Sequence, residues 1–153
     1  MTQEEKQLLL ADICARLPYK TFAQWHHRAL NEFRNVKIMK ISTYGKNIDD
    51  YYINVLCQPE PGVDYEASIV DIKPYLRPID SMTEEEFLEY HNIKYNKVTY
   101  RDNWKRIDIG KFQNVGIIPI EEYLDWLNEH HFDYRGLIKK GLAWEAPEGM
   151  YDI

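Results

Sequence analysis

Apolar positions recur at helical spacing near the start of the chain. Leu9, Leu10, Ile13, Cys14 and Leu17 lie on one helical stripe, and Thr2 with Glu5 three residues on forms a capping-box pattern. Leu17-Pro18 closes this helix, because the residue before proline avoids the helical region. Residues 21–35 fit two patterns: Phe22, Trp25, Ala29 and Phe33 suit a helical face, while 21–27 is a run rich in β-formers, and strand is the preferred reading. Residues 36–43 and 51–56 are β-branched and aromatic and are separated by Tyr44-Gly45-Lys46-Asn47, which predicts a hairpin. After a loop carrying Pro59, Pro61 and Gly62, residues 66–72 predict a third strand, and Pro74 and Pro78 demand that the next segment be extended.

Ser81 and Glu84 form a second capping-box pattern, and Met82, Phe87, Leu88 and His91 continue it as a helix to about Asn92. Residues 97–112 read as strands broken at Arg101-Asp102-Asn103, and Gly110 and Gly116 bracket a loop leading to Pro119. Proline suits a first helical turn, and Ile120, Tyr123, Leu124 and Leu127 then share a helical face as far as about His131. Asp133 is placed to cap a short helix through Leu137 and Ile138 that Gly141 ends, and the tail 146–153 is expected to be extended. No internal repeat or linker interrupts this pattern. The prediction is one α+β domain over 1–153, in which a small, mainly antiparallel sheet packs with three to four helices.

Composition changes this picture little. The chain has 153 residues, 44% hydrophobic and 29% charged, which suits one folded domain with a single core. A net charge of -6 opposes non-specific adhesion to nucleic acid or anionic membrane. The opening residues MTQEEK lack the basic and apolar runs of a secretory leader, and no apolar run approaches the roughly 20 residues that span a bilayer, so a cytoplasmic protein without membrane contact is expected. Cys14 and Cys57 show no paired spacing and are expected to be buried thiols.

Three stretches, residues 8–19 (LLLADICARLPY), 71–86 (DIKPYLRPIDSMTEEE) and 125–151 (DWLNEHHFDYRGLIKKGLAWEAPEGMY), are distinctive. Together they resemble an uncharacterised family of small proteins from gut bacterial genomes and their phages and prophages. The resemblance implies a cytosolic, phage-linked protein and carries no activity, cofactor or catalytic residue with it.

Candidate chemistry is sparse. His26-His27 and His130-His131 invite a metal argument, but neighbouring side chains diverge on helix and strand alike, so each pair offers one ligand in any direction, and no metal site is predicted. Asp49-Asp50, Glu84-Glu85-Glu86 and Glu121-Glu122 are explained by a turn and by helix starts. No phosphate-loop or hydrolase motif occurs, and no cofactor is implied. The one charge anomaly is the segment 94–111, where Lys94, Lys97, Arg101, Lys105, Arg106 and Lys111 face only Asp102 and Asp108, with Tyr95, Tyr100 and Trp104 interleaved. Basic residues between stacking rings suit a single-stranded nucleic acid or nucleotide. Tyrosines 19, 44, 51, 52 and 75 serve protein contacts as readily as a core.

The leading reading is a non-enzymatic interaction or accessory protein, phage-associated, acting by protein binding or self-association. Its alternative is a nucleotide or single-stranded nucleic-acid binder using Lys97, Tyr100, Arg101, Trp104, Lys105 and Arg106. An enzyme whose site is assembled only by the fold is the weaker third.

Overall fold

The computed structural model describes residues 1–57, 63–87 and 120–152. Helix α1 (Gln3–Arg16) opens on the expected capping box: the Thr2 hydroxyl accepts from the Glu5 amide at 3.1 Å, and the Glu5 carboxylate accepts from the Thr2 amide at 2.7 Å. It stops before Leu17-Pro18. Its buried face is Leu9, Asp12, Ile13 and Arg16, so the apolar stripe carries two charged residues inward.

Six strands follow: β1 (Phe22–His27), β2 (Glu32–Thr43), β3 (Tyr51–Cys57), β4 (Asp64–Ser68), β5 (Ile72–Leu76) and β6 (Trp144–Glu145). They form one sheet of order β4-β3-β2-β1-β5-β6, antiparallel except for the β5–β6 pair. The α+β fold is therefore as the sequence predicts, and the ambiguous residues 21–35 are two strands joined by a turn in which Asn31 takes φ 51°. Period-2 alternation buries one sheet face. Ala23, Trp25, Val36, Ile38, Ile53, Val55, Ala67, Ile72 and Leu76 pack there with Leu9 and Ile13 of α1 and with Leu137, Leu142 and Ala143. A smaller cluster joins Met82 and Phe132 to Tyr123 and Leu127 of helix α2 (Ile120–Glu129).

Several local expectations are corrected. The strand expected over 66–72 is β4 followed by a 3-10 turn (Ile69–Asp71), and the proline-bearing segment after it is β5 itself. Pro74 is tolerated because β6 pairs only with Tyr75 and Leu76 and asks no amide of it. The helix after Pro78 is capped by Thr83 and Glu86 instead of Ser81 and Glu84: the Glu86 carboxylate accepts from the Thr83 amide at 2.9 Å, and the Thr83 hydroxyl accepts from the Glu86 amide at 3.2 Å. Ser81 instead donates to the Pro78 carbonyl. Helix α2 ends at Glu129, short of His131. No helix follows Asp133, since Gly136 at φ 71° interrupts the helical backbone; both Asp133 oxygens accept from the amides of Leu137 and Ile138, at 2.8 Å each. The strand β6 ends at Glu145, before the tail expected to be extended, and the tail itself turns, with Met150 N–H donating to the Pro147 carbonyl. Cys14 is exposed and Cys57 half-buried, and both are unpaired thiols. The strands predicted over 97–112 and the helix beyond residue 87 lie outside the described residues.

The Arg16 guanidinium is fully buried and joins these parts. It holds Asp12 through two bonds, Nε at 2.8 Å and Nη2 at 3.1 Å, and donates onward to the carbonyl of Phe132 at 2.7 Å and, more weakly, of Asn128 at 3.5 Å. Asp12 receives a further bond from Arg135 at 3.0 Å. A cation is thereby placed against the carbonyl end of α2, where the helix dipole favours it. Removing one partner of such a set strands a buried charge, so Arg16→Met is expected to cost about 3–5 kcal/mol. Arg135 is partly exposed, and Arg135→Met is expected to cost about 1 kcal/mol or less. Urea unfolding midpoints of the two variants check this ordering.

Candidate functional site

Where β5 runs out beside the end of α2 and the C-terminal arm, the surface folds into an open polar cleft of about 780 Å3. Its floor is set by the backbone. Arg77 continues β5 into a parallel bridge with Phe132: its N–H donates to the His131 carbonyl at 2.8 Å, and its carbonyl accepts from the Asp133 N–H at 2.7 Å. The Arg77 side chain lies over the Phe132 ring, 4.3 Å from its centroid, and makes a bidentate pair with Glu86 at 2.6 and 2.9 Å. Burial alone would push the Glu86 carboxyl up. The bonds from Arg77 and from the Thr83 amide outweigh this and hold it below the usual carboxylate range. One carboxylate thus caps a helix and fixes the arginine of the cleft wall.

The opposite wall begins at the C-terminus of α2. The Phe132 amide donates to the Leu127 carbonyl at 2.9 Å and the His131 amide to the Asn128 carbonyl at 3.1 Å, a Schellman ending with His131 in the left-handed position at φ 60°. Glycine is the usual occupant there. Histidine is held by its stack on Tyr151, with ring centroids 3.6 Å apart and planes within 16°. Tyr151 in turn staples the arm to the sheet, because its hydroxyl accepts from the Phe22 amide at 3.0 Å and donates to the Tyr75 carbonyl at 2.9 Å. Burial pushes the Tyr151 phenol well up.

His131 is 4% exposed, and its Nδ1 has no hydrogen-bond partner among the described residues. Burial, with the charges of Arg16, His130 and Arg77 around it, lowers its pKa to about 3, so the ring is neutral at physiological pH. His130, which lines the cleft, stacks on Trp126 at 4.2 Å, and its Nδ1 lies 2.9 Å from the Trp126 carbonyl. A carbonyl only accepts, so Nδ1 carries a proton and donates to it.

The hydroxyls in the cleft are already engaged. Ser81 donates to the Pro78 carbonyl at 2.7 Å and Thr83 accepts from the Glu86 amide, so neither is hydrogen-bonded to a base. Glu145, Glu148 and Asp152 line the arm side and enter no ion pair among the described residues. The stretches 8–19, 71–86 and 125–151 all converge here, the first through Arg16 and the other two as the cleft walls.

Lys97, Tyr100, Arg101, Trp104, Lys105 and Arg106, the binding residues expected from sequence, lie outside the described residues. Among the described residues no group of three His, Cys, Asp or Glu could hold a metal ion. His26 stacks on Phe33 at 4.7 Å, and the His27 ring packs against Trp25 at 4.7 Å with the planes tilted by 48°. Asp49 pairs with Lys6, and Asp50 accepts from the Asn47 amide. Of the five tyrosines considered for contacts, only Tyr44 is exposed. Sequence reasoning missed Arg77, Glu86 and Tyr151 as site residues, and their only signal is a set of contacts made by folding. No protein-family model matches the chain, and no curated protein or solved structure matches it.

The neutral His131 gives a testable sign. Its pKa is near 6.5 when unfolded and about 3 when folded, so between those values the unfolded state binds more protons. Its contribution is complete above pH 6.5 and declines as pH falls towards 3, by about 1.4 kcal/mol per pH unit. Asparagine tolerates the left-handed position and does not titrate. Urea unfolding at pH 7 and pH 5 is expected to show a markedly smaller acid-induced loss in His131→Asn than in the parent.

Proposed function

We propose that the chain is a non-enzymatic interaction protein that holds a basic, extended segment of a protein partner in this cleft. The observation that carries the reading is the set of three carboxylates, Glu145, Glu148 and Asp152, that enter no ion pair among the described residues, beside a wall already fixed by the Arg77–Glu86 pair. Wall charges that are satisfied internally give shape, and unpaired ones give selectivity for a cation. The arm begins at β6, which ends the strand order of the sheet, so an extended segment entering the cleft also meets a strand edge. Recognition is favoured over catalysis because the Ser81 and Thr83 hydroxyls are committed to turn and cap.

No helix among the described residues is long and apolar enough to cross a membrane. With the resemblance of residues 8–19, 71–86 and 125–151, this supports a cytoplasmic role linked to a phage or prophage.

Charge reversal tests the site. A tagged protein recovered from cells that express it naturally, with nuclease treatment throughout, is expected to carry a stoichiometric protein partner. The variant Glu145→Lys/Glu148→Lys/Asp152→Lys is expected to bind that partner at least tenfold more weakly. Equal recovery by both proteins contradicts the assignment.

A further inference from the structure

The sheet has a second face, opposite the core, whose exposed rings and lysines do not line the cleft. Strand alternation puts Phe22, Gln24 and His26 of β1 on it, and the β1–β2 register sets them opposite Lys37, Asn35 and Phe33. Past the bulge at Ile38/Lys40, Lys40 lies on the same face, opposite Asn54. Lys73 pairs with Gln24, and Trp144 of β6 pairs with Tyr75 of β5. Two rings stand out from this surface, Phe33 at 67% and Trp144 at 45% exposure.

Both are held in place. The His26 ring stacks on Phe33 within 19° of parallel, and its Nε2 is 3.2 Å from Asn31 Oδ1. Trp144 donates through Nε1 to Gln24 Oε1 at 3.1 Å and carries the Lys73 ammonium 4.5 Å from its ring centroid. Tyr75 donates to Asn35 Oδ1 at 3.0 Å, which orients that amide. Within β1, β2, β5 and β6 this face carries Lys37, Lys40 and Lys73 and no carboxylate, in a chain whose net charge is -6; its acids, Asp64 and Glu66, stand two strands from β2 on β4, and Glu66 accepts from the Tyr44 hydroxyl. Cations have been gathered where rings are exposed, the combination that matches an anionic polymer bearing flat bases.

We infer that this face binds single-stranded nucleic acid, stacking bases on Phe33 and Trp144 and meeting phosphates with Lys37, Lys40 and Lys73. Three inter-strand steps and four residues of register separate the two rings, roughly 14 Å across the sheet and about 13 Å along it, so one strand of several nucleotides reaches both. Duplex DNA hides its base faces and is discriminated against. Three lysines release few counterions, and log K is expected to fall with log salt with a slope of about -2.

The test is fluorescence anisotropy of labelled dT12 at low salt, with the same sequence in duplex form as a control. Phe33→Ala and Trp144→Ala are each expected to weaken dT12 binding about tenfold or more, and Lys37→Glu/Lys73→Glu to weaken it and flatten the salt slope. Val63→Ser, at another exposed apolar position, is expected to change nothing. Circular dichroism verifies folding, and Phe33→Ala, at the more exposed position, carries the test if Trp144→Ala does not fold. The Glu145/Glu148/Asp152 reversal is expected not to weaken dT12 binding, which separates this proposal from the cleft. The inference is overturned if dT12 does not bind. It is also overturned if binding survives both ring substitutions but is lost in Arg101→Glu/Lys105→Glu. A third contrary result is that the ring substitutions alter the oligomeric mass while leaving dT12 affinity intact, which would mark the face as a contact between copies of the chain.

Discussion

A buried arginine is expensive unless every donor is engaged, and the arrangement around Arg16 follows from that constraint. Its guanidinium cannot be satisfied within α1, where Asp12 occupies only part of its fork. The remaining donors require carbonyls, and those of Asn128 and Phe132 become available only because α2 stops at Glu129 and turns through a left-handed residue. The first helix and the last third of the chain are therefore coupled by chemistry as well as by packing. Arg135 on Asp12 and the Tyr134 ring beside both arginines extend the same cluster to the surface.

The cleft is a consequence of this junction. The turn that offers Phe132 to Arg16 also presents the backbone of 131–133 to Arg77, which fixes the end of β5. It also swings the His131 ring against Tyr151, and Tyr151 ties the arm to Phe22 and Tyr75. Each wall thus owes its position to the end of α2. The outer sheet face is set chiefly by strand register, and it meets the arm at Phe22, on which Tyr151 stacks, and at Trp144 of β6.

Local signals predicted local structure well. The Thr2/Glu5 box, the run of β-formers in 21–27 and the apolar stripe of 120–127 each led to the element observed. Misreadings arose where two local patterns competed and a distant contact decided between them. Ser81/Glu84 and Thr83/Glu86 are the same motif two residues apart, and Arg77 takes Glu86 as partner. Asp133 resembles a helix cap and does satisfy two amides, but the positive φ of Gly136 directs them into a turn. Among site residues, His130 was visible as a candidate, whereas Arg77, Glu86 and Tyr151 looked like an ordinary surface charge, a helix-start acid and a tail aromatic. Their roles depend on contacts across as many as 129 residues, as between Tyr151 and Phe22, which no local pattern encodes.

The claim that Arg16 unites α1, the end of α2 and the cleft is tested most directly by native-state hydrogen exchange. The amides of Arg77, Phe132 and Asp133 are expected to open with the same free energy as the α1 amides around Leu9 and Ile13, as one cooperative unit. Exchange of the 131–133 amides at a free energy several kcal/mol below that of α1 would show that the end of α2 opens independently and would contradict the account.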